Sequence, residues 1–430
     1  MMKRLSAFLL AVILLAALTA CGGTSLPEQS AVSGGAVLPA EPPAPPAAVP
    51  APEDALPPED ALPPEDALPP EGTPPPEEPH PEPEPDPRQE TVNAILSRMT
   101  TEELVGQLFF VRCPASRQAE LVTQYHPGGY LLFGRDFKDS AEGWLTAEQF
   151  TETVRSYQDA SFLPLLIGVD EEGGTVARAT RNPNLFPAKR KSPQRVFAQG
   201  GMEAIVEDAA SVSRGLLSYG INVNFAPVAD VSTDPADFIY DRSFGQDAAA
   251  TADYITAAVS AMTDAGIGSV LKHFPGYGSN VDTHTGIAVD ERPYDQFLAE
   301  DLLPFRAGID AGAGSVLVSH NIVTCMDDTL PASLSPQVHR VLREELGFEG
   351  VILTDDLAMD AVEAYAEDGS VAVLAVLAGN DMIVTTDFET QIPQVIAAVE
   401  SGTIPRDMLE RAVSRVLGWK YDLGLLGGIS

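Results

Sequence analysis

The chain has 430 residues, with 62 acidic side chains against 26 basic ones and a formal charge of −36. Residues 22–90 hold fifteen acids against a single Arg, and the first twenty residues hold two cations, which leaves −24 on residues 91–430. So acidic a body argues against nucleic acid or an anionic membrane surface as partner.

Residues 1–20 open with Lys3 and Arg4 and continue as an apolar run from Leu5 to Ala20, too short for a comfortable membrane span. This pattern predicts an export signal. It ends Leu18-Thr19-Ala20-Cys21-Gly22, which is similar to the lipobox of bacterial lipoproteins. That likeness implies cleavage before Cys21, lipidation of Cys21 and anchoring to the outer face of the bacterial cell membrane. Cys113 and Cys325 are the other cysteines; in an exported protein they could pair, and each could equally be a free thiol.

Residues 21–87 are rich in Pro, Ala and Glu and carry three tandem copies of Glu-Asp-Ala-Leu-Pro-Pro, at Glu53–Pro58, Glu59–Pro64 and Glu65–Pro70. Proline removes backbone donors and fixes φ, and the acids repel, so this segment is expected to be a disordered, extended tether. At roughly 3 Å per residue it would reach up to about 200 Å. Residues 88–430 are then long enough for one large core and suit a single α/β barrel.

After a helical lead-in over Gln89–Glu103, short apolar runs alternate with segments of helical period. The strand candidates are Gln107–Val111, Tyr130–Phe133, Leu165–Val169, Val223–Ala226, Ser269–Leu271, Ser315–Val318, Val351–Leu353 and Asp381–Val384. Between and after them lie amphipathic stretches: Thr146–Ala160, Met202–Tyr219, Thr251–Ala265, Tyr294–Ala311, Pro336–Glu345, Val362–Ala378, Ile392–Glu400 and Arg406–Leu423. Eight strands alternating with helices predict a TIM-like (β/α)8 barrel, and a doubly wound open sheet would alternate similarly.

Polar residues follow the strands where a barrel enzyme needs them. Strand three runs into Asp170-Glu171-Glu172-Gly173-Gly174, strand five into Lys272-His273, strand six into Ser319-His320-Asn321, and strand seven into Thr354-Asp355-Asp356. Any one acid there could simply cap a helix. Capping does not explain why a cation, imidazoles and several carboxylates gather at one C-terminal rim. The loop after Lys272-His273, freed by Gly276 and Gly278, holds Asp282 and His284 two residues apart, so that the carboxylate can orient the imidazole. No Cys is near and no His-x-x-x-His spacing occurs, which speaks against a metal, and no cofactor motif is present. A carboxylate nucleophile, Asp355, with a protonatable His284 suits displacement at an acetal carbon. Lys272, Arg178 and Arg242 are candidate donors to sugar hydroxyls, and Asp170 is a candidate acceptor.

Lys272-His273-Phe274-Pro275-Gly276-x-Gly278, then Asp282-Thr283-His284, then Gly350-Val351-Ile352-Leu353-Thr354-Asp355-Asp356-Leu357-x-Met359 resemble the β-N-acetylglucosaminidase branch of glycoside hydrolase family three. The likeness runs over nearly all of residues 90–425. It includes Met99-Thr100-Thr101-Glu102-Glu103, Asp170-x-Glu172-Gly173-Gly174, Asn224-Phe225-Ala226-Pro227, Asp241-Arg242-Ser243-Phe244-Gly245 and Pro331-Ala332-Ser333-Leu334-Ser335. It implies a retaining double displacement that releases terminal β-linked N-acetylglucosamine, often from peptidoglycan fragments. It puts the nucleophile on Asp355, the acid/base on His284 with Asp282 as its partner, and sugar contacts on Asp170, Arg178, Arg242, Lys272 and His273. Two departures stand out: Tyr277 replaces a usual His, and the Asp-x-His loop is one residue shorter.

Three alternatives remain open at the level of sequence. Phosphate could replace water as acceptor, making a phosphorylase. The glycone could be glucose or another β-hexoside, although the Asp-x-His loop argues against it. A tethered glycan-binding lipoprotein with decayed catalysis would have lost its nucleophile or dyad, and both are present.

Overall fold

The computed structural model describes residues 86–140, 143–278, 288–359, 362, 365 and 370–427. The expected signal, Cys21 and nearly all of the expected tether lie outside the described residues. Strands β1 (Phe109–Arg112), β2 (Gly129–Leu132), β3 (Leu166–Val169), β4 (Val223–Asn224) and β5 (Gly268–Phe274) are followed by β6 (Val289–Asp290), β7 (Ser315–Val318), β8 (Ile322–Val323), β9 (Val351–Thr354) and β10 (Ile383–Thr385). Eight of them form one sheet in the order β10-β1-β2-β3-β4-β5-β7-β9, and their pairings are parallel. A parallel bridge between Leu353 and Met382 joins its two ends. The sheet therefore closes on itself, and the eight strands predicted from sequence are those of the barrel.

Side chains along each strand alternate between two cores, which is why the runs read as continuously apolar. Phe110, Leu131, Leu166, Val223, Leu317, Leu353 and Val384 fill the interior with Phe225, while Phe109, Val111, Ile167 and Val169 pack outward under helices. Gly168 sits where a Cβ would come within 2.7 Å of the Phe225 ring, so the Phe110–Phe225 edge-to-face pair, 5.0 Å apart, requires glycine there. Trp419, on the helix Arg406–Asp422, belongs to the same interior cluster and lies against Gly268 and Gly314, at the start of β5 and just before β7. It plugs the bottom of the barrel, so the open end is the one at which the strands finish.

Local chemistry explains the differences from the predicted elements. The lead-in is two helices, Pro87–Leu96 and Thr101–Gln107, because Thr100 starts the second with a capping box: its hydroxyl accepts from Glu103 N–H at 3.3 Å while Glu103 accepts from Thr100 N–H at 2.8 Å. The Tyr294–Ala311 stretch breaks into Tyr294–Ala299 and Leu302–Asp310, with the buried Asp301 carboxylate between them turned to Arg292 at 2.7 Å. The helix predicted from Met202 begins at Pro193 and passes through non-helical Gly200 and Gly201. β5 runs on through Lys272 and His273 to Phe274 rather than stopping at Leu271. The helix Gln118–Tyr125 and the small β6–β8 pair have no periodic signal long enough to read. Cys113 is buried and Cys325 exposed, both as free thiols, so the two do not pair. Burial pushes the Cys113 thiol up to about 12, which leaves it unreactive at neutral pH. Among the described residues no helix is long and apolar enough to cross a membrane.

Candidate active site

The open end of the barrel holds a cavity of about 420 Å³. Its floor is the top of the interior core, with Leu131, Phe225, Leu317 and Val384, and its walls include Asp170, Arg178, Arg242, Lys272, His273 and Asp355. Each sequence-predicted site residue that falls among the described residues thus lines one cavity. Asp282 and His284 lie outside the described residues.

The loop after β3 is shaped by a carboxylate that never reaches the cavity. Glu171, fully buried, accepts from the Arg178 and Thr180 N–H groups at 2.9 and 3.1 Å and from the Thr180 hydroxyl at 2.5 Å. Its backbone N–H donates to Asn224 Oδ1 at 3.0 Å, and its carbonyl accepts from Asn224 Nδ2 at 3.2 Å, which ties the loop to β4. Asp170 and Glu172, on either side of it, both line the cavity. The turn continues through Gly173 at φ 95°, where a Cβ would lie 2.1 Å from the Lys191 carbonyl oxygen. Gly173→Ala combines a disfavoured φ with a backbone clash, so it is expected to cost about 2 kcal/mol or more of stability. Urea unfolding of that variant checks this.

Four charged side chains then interlock. Lys272, 3% exposed, donates to Asp170 Oδ1 at 2.8 Å and stands 2.7 Å from Glu172 Oε1. Arg242 clasps Glu172 with two parallel bonds, Nε to Oε2 at 2.9 Å and Nη2 to Oε1 at 2.8 Å. Burial would raise the Glu172 pKa, but Arg242 and Lys272 outweigh it and hold the carboxyl well below the usual carboxylate range. Lys272 is shifted the other way: burial opposes its charge, and Asp170 and Glu172 more than compensate.

Arg242 also fixes an imidazole. Its Nη2 lies 3.1 Å from His273 Nε2, and a guanidinium only donates, so Nε2 accepts. His273 Nδ1 therefore carries the hydrogen and donates to Asp230 Oδ2 at 2.7 Å. Asp230, also buried, accepts from the backbone N–H of His273 at 3.1 Å and of Tyr277 at 2.8 Å, which anchors the start of the loop that leads to Asp282 and His284. Tyr277 packs its ring 5.5 Å from His273 and 5.7 Å from Phe238.

Asp355 follows β9, where its N–H donates to Val318 O on β7 at 3.0 Å and its Oδ1 accepts from Asp356 N–H at 2.8 Å. Burial works against its ionisation, yet His320, His273, the Asp356 N–H and Lys272 together keep its pKa below the ordinary value. Asp356 is pushed the opposite way, first by burial and then by the charge of Asp355. Of the two neighbours, Asp355 is the ready anion.

Residues 100–418 match the family described as glycosyl hydrolase family 3 N terminal domain. The chain belongs to glycosyl hydrolase family 3. It is 33% identical over 321 residues to "Beta-hexosaminidase LpqI" of Mycobacterium tuberculosis, covering 72% of this chain and 79% of that protein. It is 30% identical to "Beta-hexosaminidase A" of Pseudoalteromonas piscicida, over 71% of this chain and 55% of that one. Among solved structures, the family 3 β-N-acetylglucosaminidase of Paenibacillus sp. str. FPU-7 superposes with a TM-score of 0.70 at 32% identity, over 77% of this chain and 64% of that one. This family 3 chain thus spans a little more than half the length of the Pseudoalteromonas relative and under two thirds of the Paenibacillus one, against 79% of the mycobacterial one.

Sequence reasoning misses four groups at this family 3 site. Glu172 stands within a recognised motif, but its tie to Lys272 and Arg242 joins the loop after β3 to the end of β5 and to the loop after β4. Asp230 follows Val228-Ala229 with no second polar residue to draw attention. His320 reads as a rim residue without a role; its Nδ1 meets Ser333 Oγ at 2.7 Å, and its Nε2 donates to the Asp356 carbonyl at 3.1 Å. Arg112, stacked 4.1 Å over the Phe133 ring beside Arg178, ends β1 and lines the cavity. The rule that rim residues follow strands would have found it.

Proposed function

We propose that this chain is a retaining, exo-acting β-N-acetylglucosaminidase that removes terminal N-acetylglucosamine from peptidoglycan fragments or other β-linked glycans. What carries the reading is an easily ionised Asp355 sharing one cavity with the Asp170–Lys272–Glu172–Arg242 network. Membership of family 3 and the names of the relatives support it.

In the proposed reaction the sugar seats against Asp170, Lys272, Arg178, Arg242 and His273. Asp355 attacks the anomeric carbon from one face while His284, oriented by Asp282, gives a proton to the leaving oxygen. Water then displaces Asp355 from the covalent ester, with His284 taking back the proton. Lys272 and Arg242 are already paired to carboxylates, so their positions are set before substrate arrives.

Release of p-nitrophenol from the β-N-acetylglucosaminide, measured beside the β-glucoside and with or without phosphate, tests this. Free N-acetylglucosamine in both buffers is expected. Sugar 1-phosphate appearing only with phosphate would replace the hydrolase with a phosphorylase, and no turnover would leave a binding protein. We further propose that Cys21 carries a lipid that anchors the enzyme outside the cell. Cys21→Ala is then expected to move the protein from the membrane fraction to the medium, and continued membrane association would refute the anchor.

A further inference from the structure

A second cavity, of about 460 Å³, lies beside the first. Two loops supply the proof of adjacency. Gly174 and Thr175 line the second cavity while Val176 lines the first, and Asp241 lines the second while Arg242 lines the first. Residues one or two steps apart lie within about 8 Å of each other, so the two cavities share walls.

The second cavity is cationic in a chain that is otherwise strongly acidic. From Gly173 to Met202 there are thirty residues with six cations and no acid. Lys189, Arg190, Lys191 and Arg195 from this stretch line the cavity, against the single acid Asp241. Arg190 is neutralised by Asp208 at 2.8 Å. Lys189, Lys191 and Arg195 are exposed and form no ion pair with another described residue; Lys191 Nζ reaches only the Gln199 amide oxygen, at 2.7 Å. Structural need does not explain them, because the loop is held by backbone: Gly174 N–H donates to Arg190 O at 3.1 Å, and the Lys191 carbonyl packs on Gly173.

We infer that this cavity is the subsite for the leaving group, built for an aglycone that carries two or more carboxylates. The inference rests on the glycosidase reading above, since it needs the first cavity to hold the terminal sugar. Three unpaired cations beside a sugar site select an oligoanion over a neutral saccharide, and they draw it in through a field that salt screens within about 10 Å at 0.1 M.

The test compares two substrates with the same terminal sugar: chitobiose, whose leaving sugar is neutral, and N-acetylglucosaminyl-N-acetylmuramoyl-L-alanyl-D-glutamate, whose peptide carries two carboxylates. The triple variant Lys189→Ala/Lys191→Ala/Arg195→Ala is expected to lose about tenfold in kcat/KM on the anionic substrate, mostly through KM, the order expected of a few partly exposed charge pairs. On chitobiose it should stay within about twofold of the native enzyme. A triple Lys/Arg exchange (Lys189→Arg/Lys191→Arg/Arg195→Lys) should retain the preference, and raising salt should weaken the native enzyme selectively on the anionic substrate. Equal loss on both substrates, or no loss on either, overturns the subsite while leaving the glycosidase intact. Turnover of neither substrate by the native enzyme overturns the glycosidase reading and the subsite with it.

Discussion

Asp355→Asn is expected to lower kcat for the p-nitrophenyl β-N-acetylglucosaminide by about 10⁴-fold or more, with little change in thermal midpoint. The size follows from removing a nucleophile that no neighbour can replace. Asparagine keeps an oxygen for the Asp356 N–H, so the turn after β9 should survive. Asp356 is a poor substitute because burial raises its pKa even without the charge of Asp355 beside it, and its Oδ1 already accepts from Ala358 N–H at 3.0 Å. Asp355→Gly with sodium azide should recover part of the rate and yield the α-glycosyl azide, since azide would attack from the face that the carboxylate vacated. Turnover by Asp355→Asn within about tenfold of native would put the nucleophile elsewhere. The pH profile gives a second check. The folded pKa of Asp355 is depressed, so the nucleophile stays ionised throughout the range above its usual value of about 4, and no acidic limb from it should appear there.

The barrel is legible in the sequence for a physical reason. A closed parallel barrel buries both faces of every strand, so each strand prints a short apolar run whatever its partners are. β7 has the ends that its apolar run predicts, and the other strands depart from theirs mainly at the edges, where polar rim residues such as Lys272 and His273 continue the strand. The rim positions of Asp170, Lys272, His273 and Asp355 are legible because each lies at or directly after the end of a strand, whereas Arg178 and Arg242 reach the same cavity from further along their loops. Pair geometry is not. Glu172 contacts side chains 70 and 100 positions further along, and nothing in local sequence says that Arg242 will clasp it with two bonds while also steering His273. Nor does sequence show that Glu171, next to it, faces away from the cavity. The cation-rich stretch from Gly173 to Met202 is visible as composition, but only the folded loops put it beside the catalytic cavity.

Glu172→Gln is expected to be the most damaging single change outside the reacting groups. Glu172 is 3% exposed and is the common partner of Lys272 and Arg242. The amide keeps the shape but not the charge, so two cations remain in a nearly dry site with Asp170 as their remaining close counter-ion. Breaking a buried pair in this way costs about 3–5 kcal/mol, because the surviving charge keeps its desolvation penalty and loses its compensation. For a domain of this size that corresponds to a fall of about 4–7 °C in the thermal midpoint. Activity should fall as well, since Arg242 would no longer be held where it sets the His273 tautomer. The pH dependence follows from the sign of the shift. The folded pKa of Glu172 is depressed, so its contribution to stability is fully present above the unfolded value of about 4.3 and is lost as pH falls toward the folded one. The stability gap between native and variant should hold steady from about pH 5 to 8 and narrow only in stronger acid. Adding Arg242→Met to the variant removes one stranded cation, so part of the stability should return while activity stays low. A double variant that recovered activity would show that the pair serves the fold alone; one that recovered no stability would mean that the cost lies in the shape of the loop after β3 rather than in unpaired charge.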